Sequence, residues 1–386
     1  MDHAAGMPVD PRVFEAMKPY FVENYGNPSS SYSFGASAKN ALMESREKVA
    51  RLIGAEKPEE VIFTSGGTES NNLAIKGVAY RNKDKGNHII ATTIEHISVI
   101  NICKHLQKQD FEITYIPVDK QGMVDPEKLK DAITDKTILI SVMYANGEIG
   151  TIQPIREIGK IAHENQIYFH VDAVAAVGKV PINVGEENID LLSISSNDMY
   201  GPKGMGALYI KKGTRIQPVM QGGGQERGLR SGTENIPGIV GTGKAAEIAQ
   251  EEMETEGRRL SQLRDKLIKG ALNKIARSYL NGHPTKRLPN NANLRFSYIE
   301  GESLILGLDM LGIQVSSGSA CTSKTLEPSH VLLAIGLAHE EAHGSLVFTM
   351  GKQNSEEDVK YVLEVLPGVV RRLRAMSPLT PKEMLR

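Results

Sequence analysis

Seven short runs of apolar, mostly β-branched residues recur between residues 60 and 210, and helix-period segments lie between most of them. The runs are Val61–Thr64, Ile89–Thr93, Ile113–Val118, Ile138–Tyr144, Ile167–Val171, Leu191–Ser195 and Ala207–Ile210. Helical patterns fall at Asn71–Ala79, Val99–Leu106, Pro126–Ala132 and Ile155–His163. A strand that is apolar throughout has no solvent face, so the sheet it joins must be covered on both sides. Crossovers long enough to hold a helix let successive strands run parallel. The pattern predicts an α/β large domain with a seven-stranded, mostly parallel sheet.

After Gly241 the alternation stops. A charged helical stretch, roughly Lys244 to Arg277, reads as an exposed connecting helix or pair. Strand candidates follow at Asn293–Ile299, Ile313–Val315 and Leu346–Met350, with helices at Glu302–Leu311 and Glu356–Met376. That order predicts a smaller α+β C-terminal domain over residues 244–386, a large domain over 21–243, and a segment 1–20 that packs with the small domain.

A chain of 386 residues buries a sizeable core, and 45 basic residues against 46 acidic ones give no charge reason to seek nucleic acid or a charged membrane surface. Its apolar runs fall far short of the roughly 20 residues that cross a bilayer. The start, MDHAAGMPVD, lacks the basic and apolar regions of a signal peptide, so the expected place is the cytoplasm. Two cysteines, Cys103 and Cys321, are too few for a disulfide framework or a Cys-only zinc site. Cys103 sits in a helical apolar run and reads as core.

Several loops carry residues suited to chemistry. Ser65-Gly66-Gly67-Thr68-Glu69 follows a strand and opens a helix, where free amides and the helix dipole favour a phosphate. Ordinary capping of a tight turn accounts for it equally well. Asp172 ends the fifth run, where open α/β sheets place ligands, and it reads either as a partner for a ring nitrogen or as a helix N-cap. Ser195-Ser196-Asn197-Asp198-Met199-Tyr200-Gly201-Pro202-Lys203-Gly204, Gly222 to Thr233, and Val315-Ser316-Ser317-Gly318-Ser319-Ala320-Cys321-Thr322-Ser323 complete the set. Cys321 lies among small residues in a loop able to present a thiol.

Together with Asn27-Pro28-Ser29-Ser30 and Glu95-His96, these motifs span nearly the whole chain. The chain resembles the cysteine desulfurases of the NifS/IscS type, which are pyridoxal phosphate (PLP) enzymes of fold-type I and homodimers. The resemblance implies that Cys321 accepts sulfur as a persulfide while L-cysteine becomes L-alanine. It implies that His96 stacks on the cofactor ring, Asp172 holds the ring nitrogen, Thr68 and Ser195 contact the phosphate, Thr233 makes its contact from the other subunit, and Gly67 also binds the cofactor. The implied partners are an iron–sulfur scaffold protein of the IscU type and other sulfur acceptors.

The chain departs from that family at five positions. Asn197 and Asp198 stand where the family has His-Lys, and an aspartate cannot form a Schiff base. Lys203 matches a structural lysine that the family has besides its catalytic one. Gly147 and Ala175 replace an Asn and a Gln that reach the cofactor's ring oxygen, and Val347 replaces the arginine that binds the substrate carboxylate. Two readings follow. One is a sulfur-delivery protein of iron–sulfur cluster assembly; the other is a PLP-free assembly partner in which Cys321 is a ligand to a shared [2Fe–2S] cluster or an externally fed persulfide carrier.

Overall fold

The computed structural model describes residues 1–317 and 328–384. Seven strands form the large sheet: β1 (Val61–Thr64), β2 (His88–Thr92), β3 (Glu112–Ile116), β4 (Thr137–Met143), β5 (Tyr168–Asp172), β6 (Leu191–Ser195) and β7 (Gly206–Ile210). Their order is β1-β7-β6-β5-β4-β2-β3. Strands β3, β2, β4, β5 and β6 pair in parallel, while β7 is antiparallel to both β6 and β1. The seven-stranded, mostly parallel sheet is thus present, with each strand within one or two residues of its apolar run. Every residue of β1, β2, β4 and β7 is buried, which is why those runs show no polar alternation.

The second sheet has three antiparallel strands, β8 (Ser278–Asn281), β9 (Asn291–Phe296) and β10 (Ser345–Thr349), in the order β10-β9-β8. The Gly301–Asp309 and Glu356–Met376 helices pack on it around a core that includes Leu294, Phe296, Leu304, Phe348 and Leu366. The stretch Ile313–Val315 forms no strand. Ile313 and Val315 are core residues, and ladder pairing is limited to one bridge from Ser316 to Val347, so their apolarity anchors a loop.

One helix, Ile236–Lys274, joins the two cores over 39 residues, about 58 Å. Ile239, Ala245 and Ala246 pack in the large core and Leu260, Leu263 and Leu267 in the small one, so this helix runs through the expected boundary at 243/244. The N-terminal segment divides as well. Asp2 bridges Thr349 of β10, whereas Val13 and Met17 sit in the large core, in contrast to the single packing with the small domain that the sequence suggested.

The Ser33–Leu52 helix left no strong apolar signal, because its buried face is largely small: Gly35, Ala38, Ala41, Ser45 and Ala50. It lies against the long helix so closely that a Cβ at Gly243 would stand 2.6 Å from Ser45 Cα. From this helix Arg46 reaches Glu226 in a two-pronged pair at 2.7 and 2.8 Å, and Glu226 also accepts from the Phe63 amide at 3.0 Å. Both side chains are buried, so removing one partner strands a charge. Glu226→Ala is expected to cost about 3–5 kcal/mol in urea unfolding, with Arg46→Ala similar. Losses below about 1 kcal/mol would show that the pair does not brace this junction.

Candidate functional site

A cavity of about 620 Å³ opens at the carboxyl ends of the parallel strands, where it faces β10. This is where open α/β sheets bind ligands, and the volume suits a small cofactor. Each wall continues from a strand. Gly67 and Thr68 come after β1, Glu95 and His96 after β2, Asn146 and Gly147 after β4, Asp172 at the end of β5, and Ser195 at the end of β6. Val347 and Thr349 of β10 close it from the small sheet.

Asp172 is 5% exposed, and its carboxylate accepts from Asn71 Nδ2 at 2.8 Å and the Val174 amide at 3.1 Å. Burial raises its pKa against the opposing effects of His96 and those two donors. A carboxylate so placed gains most from a cation set against it. The Oδ1 atom of Asn71, 1% exposed, has no hydrogen-bond partner among the described residues. His96 caps the Ile97–Gln107 helix, its Nδ1 accepting from the Ser98 amide at 3.2 Å, and its ring borders the cavity.

At the start of the Gly67–Arg81 helix, the first amides have no carbonyl one turn back to bind, so they remain available to an anion. A Cβ at position 67 would stand 2.5 Å from Val174 Cγ2, so a larger residue there must displace that side chain. Ser195 and Thr68 border the same cavity. Thr233 does not. It lines a separate cavity of about 160 Å³ with Ser65, Arg230 and Asn235.

The five departures from the family pattern are not scattered. Gly147, Ala175, Asp198 and Val347 all line the large cavity, and Asn197 precedes Asp198 in a short 3-10 turn. Gly147 faces Ala175, for a Cβ built on it would lie 3.5 Å from the Ala175 Cβ. Asp198 pairs loosely with Lys179 at 3.9 Å. Lys203 lies elsewhere, donating to the Met7 carbonyl at 3.1 Å.

Sequence reasoning passed over Lys179 and Glu95 as site residues. Lys179 stands four residues after Ala175, whose carbonyl its Nζ reaches at 3.1 Å, but nothing in its local sequence sets it apart from a surface lysine. Glu95 is fully buried; its Oε1 accepts from Thr92 Oγ1 at 2.6 Å and the Met143 amide at 3.0 Å, and its Oε2 is unpartnered among the described residues. Burial pushes its pKa up to about 8. Cys103 is a buried core residue, its thiol pushed up to about 12 by burial.

Cys321 lies outside the described residues. The described chain on either side of it borders the cavity, at Ser316 and Ser317 before and at Pro328, Ser329 and His330 after. Ser316 exchanges both backbone hydrogen bonds with Val347, Ser329 Oγ donates to Glu148 at 2.7 Å, and the His330 ring lies 3.0 Å from the Glu95 carbonyl.

The aminotransferase class-V model matches residues 1–362. A cysteine desulfurase IscS of Methanosarcina thermophila is 60% identical over 99% of this chain and 94% of its own length. A cysteine desulfurase IscS 1 of Archaeoglobus fulgidus is 58% identical over 98% of each. Among solved structures, a NifS-like protein superposes with a TM-score of 0.90 at 38% identity, over 96% of this chain and 99% of that one. The chain belongs to the class-V aminotransferase family, in its NifS/IscS branch of cysteine desulfurases. That family implies PLP. The residues present fit its phosphate at the helix start and its ring nitrogen at the buried Asp172 carboxylate, whereas position 198 offers no amine to its aldehyde.

The raised pKa of Glu95 has a consequence for stability. An acid whose folded-state pKa lies above its ordinary value of 4.5 stabilises the fold fully below that value and loses the contribution as pH rises through about 8. Glu95→Gln keeps the neutral form at every pH. Its unfolding free energy relative to the parent is expected to climb between about pH 5 and pH 8, gaining on the order of 2 kcal/mol or more. A pH-independent difference would show that Glu95 is ionised in the fold.

Proposed function

We propose that this chain works in the cytoplasm in sulfur delivery for iron–sulfur cluster assembly, with Cys321 accepting persulfide sulfur and passing it to an IscU-type scaffold and other acceptors. The observation that carries this reading is that both described flanks of the Cys321 segment border the cavity that holds Asp172, His96 and Thr68. The relatives named cysteine desulfurase support L-cysteine to L-alanine as the family reaction.

In this reading Gly67, Thr68 and Ser195 hold the cofactor phosphate, Asp172 its ring nitrogen and His96 its ring face, with Thr233 serving the second copy of a homodimer. PLP, when bound, supplies an electron sink. The chain's own groups bind and orient, and they do so with less help than the family pattern provides. Gly147 and Ala175 carry no polar side chain toward the ring, and the buried Val347 offers a substrate carboxylate no cation. Among the described residues no group of three or more His, Cys, Asp or Glu is placed to hold a metal ion. No helix among those residues is long and apolar enough to cross a membrane.

Two experiments test this. Sulfur transfer from labelled cysteine, or from a labelled small-molecule persulfide, to a scaffold protein is expected to fall about a hundredfold or more in Cys321→Ala, and undiminished transfer would overturn the proposal. Asp198→Lys is expected to raise alanine formation only partly, with added Val347→Arg lowering KM for cysteine by about tenfold or more. Full activity from Asp198→Lys alone would show that the other departures are without effect.

A further inference from the structure

We propose that Lys179 is the aldehyde-reactive amine of the cavity, the group that bonds to the aldehyde of a phosphate ester such as PLP in the absence of a lysine at position 198. The inference rests on the reading that this cavity holds such a compound. Its basis is a juxtaposition that no local sequence pattern reveals. Lys179 borders the large cavity, its Nζ 3.1 Å from the Ala175 carbonyl and 3.9 Å from Asp198 Oδ1. Ala175 in turn faces Gly147. Both positions line the cavity and end at or before Cβ, so neither carries a side chain far into it.

The charge state suits the role. The Lys179 side chain is 11% exposed, and burial lowers its pKa, with Asp198 acting in the opposite direction. A lowered pKa enlarges the neutral, nucleophilic fraction near pH 7, the way desolvated lysines are made reactive toward carbonyls. Lys104 is the second lysine among the described residues of this cavity, but it is solvent-exposed on the Ile97–Gln107 helix. In the reaction, neutral Lys179 attacks the aldehyde carbon. A carbon–nitrogen double bond replaces the carbon–oxygen one, and the oxygen leaves as water with the two protons given up by the amine. No oxidant or reductant is needed. Asp198 is placed to take up and return a proton as the water departs.

The test uses the full-length protein incubated with PLP, reduced with borohydride to fix any carbon–nitrogen bond, digested and mapped by mass spectrometry. Equilibrium dialysis of unreduced protein runs in parallel. The expected result is a pyridoxyl group on the Lys179 peptide at close to one per chain, reduced about tenfold or more in Lys179→Met and unchanged in Lys104→Met. The map of the parent decides the matter even if Lys179→Met folds poorly. Label confined to Lys104, Lys203 or surface lysines, or no label at all, overturns the inference. Retention of PLP on dialysis in that case leaves the proposed function standing, whereas absence of both label and retention removes the cofactor reading as well.

Discussion

The carboxylate of Asp172, held at the end of β5 between Asn71 and the Val174 amide, is the constraint on which the site depends. A charge at 5% exposure is costly unless something cationic meets it, and the nearest donors are one neutral amide side chain and one backbone amide. The fold gives that carboxylate its place: five parallel strands deliver their carboxyl ends to one edge, and the small sheet closes over them through β10. The helix start at Gly67, the imidazole of His96 and the flanks of the Cys321 segment all border the same cavity.

The departures at positions 147, 175, 198 and 347 all line the cavity that also holds Asp172, Thr68 and Ser195, and those three match the family pattern. In the proposed function, holding a phosphorylated ring falls to Asp172 and the helix start, while bonding its aldehyde and gripping a substrate carboxylate fall to the positions that depart from the family pattern. At one of those positions stands a loose Lys179–Asp198 pair, a cation and an anion where a lysine alone would supply a cation.

Most of the large sheet was legible because burial on both faces writes itself as uninterrupted apolar runs, and Leu191–Ser195 is a strand at those limits. The Ser33–Leu52 helix was not legible, because close helix packing selects small residues such as Ala38 and Ala41, which carry little amphipathic signal. Strand β8 alternates partly exposed residues over four positions, too few for a period to show. In the site, motif residues were readable since their spacing along the chain is fixed by strand ends. Lys179 and Glu95 were not, because their significance is three-dimensional: one lysine turns inward beside Asp198, and one glutamate is buried in the cavity wall, near enough to Asp172 for the two charges to interact.

In the proposed function the cavity remains a site for a phosphorylated, ring-nitrogen cofactor although its usual point of attachment is gone. Equilibrium binding of PLP to the parent and to Asp172→Ala tests it most directly, with circular dichroism confirming that both are folded. Saturable binding by the parent and a loss of affinity of about tenfold or more in Asp172→Ala are expected. Equal affinity in the two proteins, or no saturable binding by the parent, would contradict it.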